Sequence, residues 1–319
     1  MMQGVDWIAV DWGTSHLRAW AMQGRTVLAE ATSDRGMNTL SQAEFEPALL
    51  DLIGPWLAAG TVTDVICCGM VGSRQGWIEA PYASTPCRPL GETMATPPVN
   101  DPRITVRVIS GVSQSSPADV MRGEETQIAG YIALNDGWDG VICLPGTHTK
   151  WVQVSAGEIV SFQTFMTGEM FALLADASVL RHSVATTDWD DDAFNMGISE
   201  ALSKPETLAA RLFRLRADHL LHGTDAAKSR ARLSGLLIGA ELAATRPFWL
   251  GQQLAVIGAD ALSKCYTTAL SAQGLPVTQA KVDAMTLAGL YAAAQHIKTP
   301  ACRAVPSFHC ALNNPSAST

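Results

Sequence analysis

Trp7-Ile8-Ala9-Val10-Asp11-Trp12-Gly13-Thr14-Ser15-His16-Leu17-Arg18-Ala19-Trp20 is the stretch on which the fold turns. An apolar run ends in Asp11, bends through Gly13, Thr14 and Ser15, and becomes apolar again at Leu17, a pattern of strand, tight polar turn and strand. The turn suits phosphate. Glycine lets backbone N–H groups approach closely, Thr14 and Ser15 add hydroxyl donors, and Asp11 supplies a carboxylate for hydrated Mg²⁺. Taken alone, the turn is better explained by an Asp capping an ordinary hairpin. A second copy changes the balance: Val141-Ile142-Cys143-Leu144-Pro145-Gly146-Thr147-His148-Thr149-Lys150-Trp151-Val152-Gln153-Val154 again runs from a strand through Gly-Thr into a strand. Two such hairpins, each opening one half of the chain, point to a nucleotide held between two related units.

Outward from these hairpins the same pattern runs twice. In the first round, strands are expected at 6–12, 16–22 and 25–31, then a helix over 42–58 with Leu49, Leu50, Ile53 and Leu57 on one face. A buried strand at 64–69 empties into Met70-Val71-Gly72-Ser73-Arg74-Gln75-Gly76-Trp77, a loop at the strand end where open α/β sheets bind ligands. A Pro-rich irregular segment at 81–102, a strand at 104–109 and a polar loop lead to Met121-Arg122-Gly123-Glu124-Glu125-Thr126-Gln127, which opens a helix to about Leu134.

In the second round, strands fall near 140–145, 149–154 and 158–165, with helices from 168 and a long helical insert through about 245. A strand at 254–257, a helix to about 272, a strand at 277–282 and a helix at 284–297 complete it. The expected division is a first unit over 1–125, a second over 126–297, and a flexible Pro/Asn/Ser-rich tail over 298–319 that holds Cys302, His309 and Cys310.

Bulk properties narrow the function. A net charge of −8 without any Lys/Arg cluster argues against nucleic acid. The seven cysteines form no C-x-x-C pair, which suggests neither zinc nor a disulfide framework and fits a reducing cytosol. The N-terminus leads straight into the first strand and no apolar run reaches membrane-spanning length, so a cytoplasmic chain without a membrane segment is expected.

The duplicated hairpins, with Gly123-Glu124 before one helix and Ile257-Gly258-Ala259 before another, resemble the superfamily of sugar kinases, actin and heat-shock chaperone ATPases. Within it, several blocks together resemble the 2-dehydro-3-deoxygalactonokinase family, spread in order over about 5–297. They are Val10-Asp11-Trp12-Gly13-Thr14-Ser15, Gly69-Met70-Val71-Gly72-Ser73, Gly76-Trp77, Ala80-Pro81-Tyr82, Met121 to Gln127, Leu144 to Val152, Met166-Thr167-Gly168-Glu169 and Ser234 to Glu241.

The resemblance implies a two-domain α/β chain of duplicated actin-like (ribonuclease H-like) fold, with ATP in the interdomain cleft. The implied reaction is ATP-dependent phosphorylation of the 6-hydroxyl of 2-dehydro-3-deoxy-D-galactonate, in galactonate catabolism, with ATP and Mg²⁺ as cofactors. The expected partner is the small-molecule sugar acid, and the expected assembly a homodimer. The alternatives are a kinase of another sugar acid or sugar, a phosphatase that uses water as acceptor, and a nucleotide-gated regulator of the same fold. The Gly-Met-Val-Gly-Ser loop and Glu124 favour a kinase, since a regulator needs neither a sugar loop nor a base.

Phosphoryl transfer needs positioning, charge neutralisation and a base. Asp11 is the candidate for Mg²⁺. Gly13, Thr14 and Ser15 face the phosphates from one unit, and Gly146, Thr147 and His148 from the other. Lys150 is equally a phosphate ligand or a solvated strand lysine. Pro145 stands where relatives often carry a carboxylate, which leaves the metal to the first unit. Related sugar kinases place their base after a Gly at the head of the helix between the domains, which makes Glu124 the first candidate and Glu125 the second. The other of the two serves helix capping. For the sugar acid, Arg74 and Arg122 lead, with Arg18, Gly72, Ser73, Trp77 and Tyr82 completing the candidate set, since Arg favours bidentate carboxylate geometry. The adenosine is expected against Gly258-Ala259 and Gly235, with Gly239 equally explained by helix packing.

Overall fold

The structure is a computed structural model that describes residues 4–298, so the expected tail beyond Lys298 lies outside the described residues, and Lys298 itself ends a helix. The first round consists of β1 (Trp7–Trp12), β2 (Leu17–Gln23), β3 (Thr26–Ser33), α1 (Phe45–Ile53), β4 (Thr63–Gly69), β5 (Tyr82–Ser84), β6 (Met94–Ala95), β7 (Ile104–Ile109), β8 (Gly111–Ser115), β9 (Ala118–Met121) and α2 (Glu124–Leu134). The second consists of β10 (Gly140–Leu144), β11 (Thr149–Ser155), β12 (Glu158–Phe165), α3 (Thr167–Ala172), α4 (Asp191–Ser203), α5 (Leu208–His222), α6 (Ala226–Ala244), α7 (Arg246–Trp249), β13 (Leu254–Gly258), α8 (Asp260–Ser271), β14 (Val277–Lys281) and α9 (Val282–Lys298).

The two large sheets repeat one plan. Their strand orders are β3-β2-β1-β4-β7-β6 and β12-β11-β10-β13-β14. In each, the first three strands are antiparallel neighbours and the next two join in parallel on the far side of the first. This is the duplicated actin-like arrangement. Parallel strands need both faces covered, and β1 shows how the sequence meets that demand. Ile8, Val10 and Trp12 pack toward α1, whereas Trp7 and Ala9 pack toward α9, and all are essentially buried.

Helices α2 and α9 form the layer between the two sheets. Ala129, Leu290 and Ala293 belong to the core of the first sheet, whereas Ile128, Tyr131 and Met285 belong to that of the second. The helices touch backbone to backbone. A Cβ on Gly130 would run into the Met285 carbonyl, and one on Gly289 into the Thr126 carbonyl. The chain therefore finishes its second round against the sheet of its first.

Three segments differ from expectation. The helix over 42–58 is shorter, because a Ser41–Glu44 capping box closes a 3₁₀ turn before α1 and Gly54-Pro55-Trp56 ends it in another. The irregular 81–102 contains β5 and β6, and the polar loop after β7 is the hairpin β8–β9. Together β5, β8 and β9 make a third sheet along the outer edge of β12. Gln114 explains why a polar stretch became a strand. Its side-chain amide is buried against β12, accepting from Phe162 N–H at 2.9 Å and donating to Phe162 O at 3.1 Å. Cys87 and Ile159 exchange two backbone hydrogen bonds beside it, at 3.1 and 2.8 Å. No helix among the described residues is long and apolar enough to cross a membrane.

Candidate active site

Both hairpins, the end of β4, the start of α2 and the end of β13 converge on one cleft of about 900 Å³. Two glycines allow the convergence. Gly69 (φ 90°) ends β4 and Gly123 (φ 109°) caps α2, both in backbone conformations closed to most residues. A Cβ on Gly123 would stand only 3.4 Å from the Gly69 Cα. The start of α2 thereby sits directly against the end of the buried strand.

The two acidic residues that open α2 then part company. Glu124 faces the cleft: its Oε2 accepts from the Arg122 backbone N–H at 3.1 Å and its Oε1 lies 3.1 Å from Lys150 Nζ. Glu125 is 0% exposed. It accepts from Gly123 N–H at 2.6 Å and from the Thr126 hydroxyl at 3.1 Å. Burial, with the Glu124 charge second, pushes its carboxyl up to about 8. Glu125 is a buried helix-start carboxyl, and Glu124 is the one a substrate can reach.

Across the cleft, Lys150 is buried rather than solvated, held between Glu124 and the His148 carbonyl at 3.4 Å. His148 Nε2 meets Glu169 Oε2 at 2.5 Å. The start of α3 lies on the second hairpin, since Glu169 N–H donates to Thr147 O at 2.9 Å and a Cβ on Gly168 would collide with the Gly146 carbonyl.

Asp11 borders the same cleft, and its Oδ2 accepts from Arg18 Nη2 at 2.5 Å. Arg18 also donates through Nη1 to Asp283 Oδ1 at 2.5 Å, at the start of α9. Among the described residues no cluster of three or more His, Cys, Asp or Glu is disposed to hold a metal ion. A single carboxylate such as Asp11 fits a Mg²⁺ bound mostly by phosphate oxygens and water, which that ion prefers.

Arg122 borders the cleft beside Tyr82, with its guanidinium 4.4 Å from the ring centroid, and donates through Nη2 to the Ala80 carbonyl at 2.8 Å. Its Nε and Nη1 have no partner, nor has the neighbouring Ser73 hydroxyl, and all three atoms are buried. Unpartnered buried donors are costly, and a charged one most of all. Gly72 makes room for this arginine: a Cβ there would stand 2.8 Å from Nη1.

A second cavity of about 600 Å³ opens on the other side of the second hairpin and shares Gly146 and Thr147 with the cleft. Its walls are mainly apolar, with Phe171, Trp189, Phe194, Leu237, Ile238 and Leu262.

The structure thus gathers Asp11, Gly13, Thr14, Ser73, Tyr82, Arg122, Glu124, Gly146, Thr147, His148, Lys150, Gly258 and Ala259 around one cleft. It does not bring in the rest of the expected set. Ser15 is exposed on its turn. Arg18 is taken up by its two carboxylates, and Arg74 points outward with its side chain 80% exposed beside Glu79. Trp77 is core, stacked on Phe45 and edge-on to Trp12. Gly72 underlies Arg122, and Gly235 sits where α4 crosses α6, against the Phe194 carbonyl. Asp119, Thr164 and Met166 also border the cleft. Sequence reasoning passed over Asp119 because the β8–β9 hairpin that carries it looked like a loop.

A family described as 2-keto-3-deoxy-galactonokinase matches residues 11–293. The chain is 40% identical to a protein of Rhizobium meliloti (strain 1021) described as a probable 2-dehydro-3-deoxygalactonokinase, over 91% of this chain and 96% of that one. It is 36% identical to the 2-dehydro-3-deoxygalactonokinase of Escherichia coli (strain K12), over 89% and 96% of the two chains. A crystal structure of a candidate 2-dehydro-3-deoxygalactonokinase from Sinorhizobium meliloti superposes with a TM-score of 0.86 at 38% identity, covering 91% of this chain and 99% of that one.

Proposed function

The chain belongs to the 2-keto-3-deoxy-galactonokinase family, and from that premise we propose that it transfers the γ-phosphoryl group of ATP to the 6-hydroxyl of 2-dehydro-3-deoxy-D-galactonate. The products are 2-dehydro-3-deoxy-6-phosphogalactonate and ADP. One observation carries this reading: a cleft carboxylate, Glu124, and an arginine with unpartnered donors, Arg122, border the same cleft as two phosphate-type hairpins.

The nucleotide lies across the second hairpin, with its base in the apolar cavity and its phosphates at Gly146, Thr147 and His148. Gly13 and Thr14 approach the phosphates from the other wall. Asp11 is the residue that would hold Mg²⁺, which when bound would supply positive charge at the phosphates. Glu124 accepts the proton of the 6-hydroxyl as the oxygen attacks phosphorus. Lys150, 3.1 Å from Glu124, stands where it stabilises charge on both the base and the incoming phosphate. Transfer of this kind depends mostly on positioning and electrostatics, which is what these groups supply.

At the other end of the substrate, Arg122 and Ser73 take the carboxylate, because a planar anion satisfies a guanidinium edge in two hydrogen bonds. The two catalytic units are 1–125 and 126–297, closing on the ligands about the α2 region. Buried free thiols at Cys67, Cys68 and Cys143 support a cytoplasmic setting. An outward apolar row on α5, Phe213, Leu220 and Leu221, supports a homodimer.

The test is ADP release from Mg-ATP with a panel of 3-deoxy-2-keto sugar acids and their neutral sugar counterparts. The expected result is turnover with the galacto acid above all others. Equal turnover with neutral sugars overturns the acid reading, and ADP release that no acceptor accelerates overturns the kinase reading.

A further inference from the structure

Glu241 has no part in the chemistry above, yet it is the most heavily bonded buried acid in the second unit. It lies on α6 and is 3% exposed. Its carboxylate accepts from the Trp151 indole N–H of β11 at 2.7 Å, from the Tyr266 hydroxyl of α8 at 2.8 Å, and from the Thr167 hydroxyl that begins α3. Tyr266 is in turn 3.0 Å from the Thr149 hydroxyl, two residues beyond Thr147 of the second hairpin. Among the described residues no ion pair reaches Glu241.

The arrangement calls for an acceptor-only group. The indole can only donate, and Tyr266 and Thr167 are both turned toward the same carboxylate. An ionised carboxylate takes all three, whereas a protonated one must itself donate and leave one of them without an acceptor. The three donors come from three elements, and two of these with α6 itself line the apolar cavity: Phe171 from α3, Leu262 from α8, and Leu237 and Ile238 from α6. An anion buried without a counter-charge is expensive, so these bonds are explained by the geometry they fix rather than by stability.

We propose that Glu241 is a positioning residue for the nucleotide. Without touching the ligand, it fastens α3, α8 and β11 to α6 at the spacing the nucleoside needs, so nucleotide affinity follows its charge. This rests on the reading of the apolar cavity as the nucleoside pocket. Burial pushes the Glu241 carboxyl up to about 7, so it changes charge close to neutral pH. The titratable groups facing it are Cys143 from β10 and Tyr266 from α8. Burial holds both well above their ordinary values, so they stay protonated through that range. Trp151 and Thr167 do not titrate there.

The experiment is steady-state kinetics of Glu241→Gln beside wild type, from about pH 6 to about pH 8. Gln keeps the shape and removes the charge. KM for ATP is expected to rise about tenfold at the upper pH, the size of a lost hydrogen bond to a charged group. kcat at saturating ATP and KM for the sugar acid should stay within about twofold. The ratio of the two proteins' KM values for ATP should shrink toward one as the pH falls, and the nucleotide's own ionisation cancels in that ratio.

Stability supplies a readout that a merely structural role would move the other way. The folded value lies above the ordinary carboxyl value, so this group's stabilising contribution is present at low pH and lost as pH rises through about 7. Glu241→Gln should therefore melt no lower than wild type at about pH 8. An unchanged KM for ATP, a pH-independent ratio, or a lower Tm with all kinetic constants disturbed overturns the inference. Should Glu241→Gln fail to fold, Tyr266→Phe and Trp151→Phe each remove one donor and should raise KM for ATP about threefold; an unchanged value in both overturns it. Leu262→Trp, which fills the cavity, separates the two readings. If it leaves KM for ATP unchanged, the nucleoside pocket lies elsewhere. If it raises KM while Glu241→Gln does not, only the role of Glu241 fails.

Discussion

Lys150 Nζ lies 3.1 Å from Glu124 Oε1, tying the strand that leaves the second hairpin to the first residue of α2. The lysine is the more buried partner, with its side chain 8% exposed against 24% for the glutamate. A partly buried pair of this kind is neither a surface bridge of negligible worth nor a sealed one. Its position matters more than its strength, because it spans the cleft on which both hairpins converge.

Glu124→Gln should lower kcat by about 10²–10⁴, the usual cost of losing a general base, with little change in KM for the sugar acid. Lys150→Met should also lower kcat. The double variant should fall well short of the product of the single effects, since residues acting on one proton and one phosphate are coupled. Additive losses in a stopped assay of all four proteins would separate the two roles.

Glu125→Gln should leave kcat near wild type, because that carboxyl is sealed under the helix start. Its effect lies in stability. The folded carboxyl is pushed up to about 8, above its ordinary value, so stability from this group is present at low pH and lost as pH rises toward and through about 8. Thermal unfolding should show wild type weakening between about pH 5 and about pH 8 more steeply than Glu125→Gln. Parallel Tm curves would contradict the assignment.

Arg122→Met should raise KM for the sugar acid about ten- to a hundredfold, the range for a lost charge-assisted contact. Turnover of a neutral sugar should change little. Arg74→Met, on a side chain that faces solvent, should be silent in both assays. Initial-rate kinetics on the two variants decide which arginine serves the carboxylate.

Asp11→Asn should reduce kcat by orders of magnitude while ATP still raises the melting temperature in part, because the hairpin backbone and the apolar cavity remain. Asn also keeps a partner for Arg18, so the link to Asp283 survives. A thermal shift titration with and without Mg²⁺ checks this: the Mg²⁺-dependent part of the ATP stabilisation should disappear.

What was legible in the sequence was local. The hairpins, the strand that ends at Gly69 and the glycine before Glu124 all declare themselves within a few residues, and the duplicated order of strands followed from them. What escaped depends on partners far along the chain. Arg18 looks like a free cation until Asp283, 265 positions away, takes one of its donors. Trp77 reads as a sugar platform beside Ser73, yet Phe45 and Trp12 draw it into the core. Gln114 is polar in sequence but buried in fact, because a backbone segment of another sheet is its partner. Burial also separates Glu124 from Glu125, and adjacent identical residues cannot reveal which of them faces water.

The seam between Gln114 and Phe162 bears on how the protein behaves in a crowded solution. β12 is the last strand of its sheet, and the segment Glu158–Phe165 is rich in β-branched and aromatic residues. Left bare, its outer N–H and C=O groups would be a template for a strand of another molecule. Gln114 occupies that template with a side chain that offers one donor and one acceptor, and Cys87 occupies it with backbone. The small third sheet therefore acts as a chaperone built into the chain. Loosening it would reveal itself first as self-association along β12, before any change in the cleft.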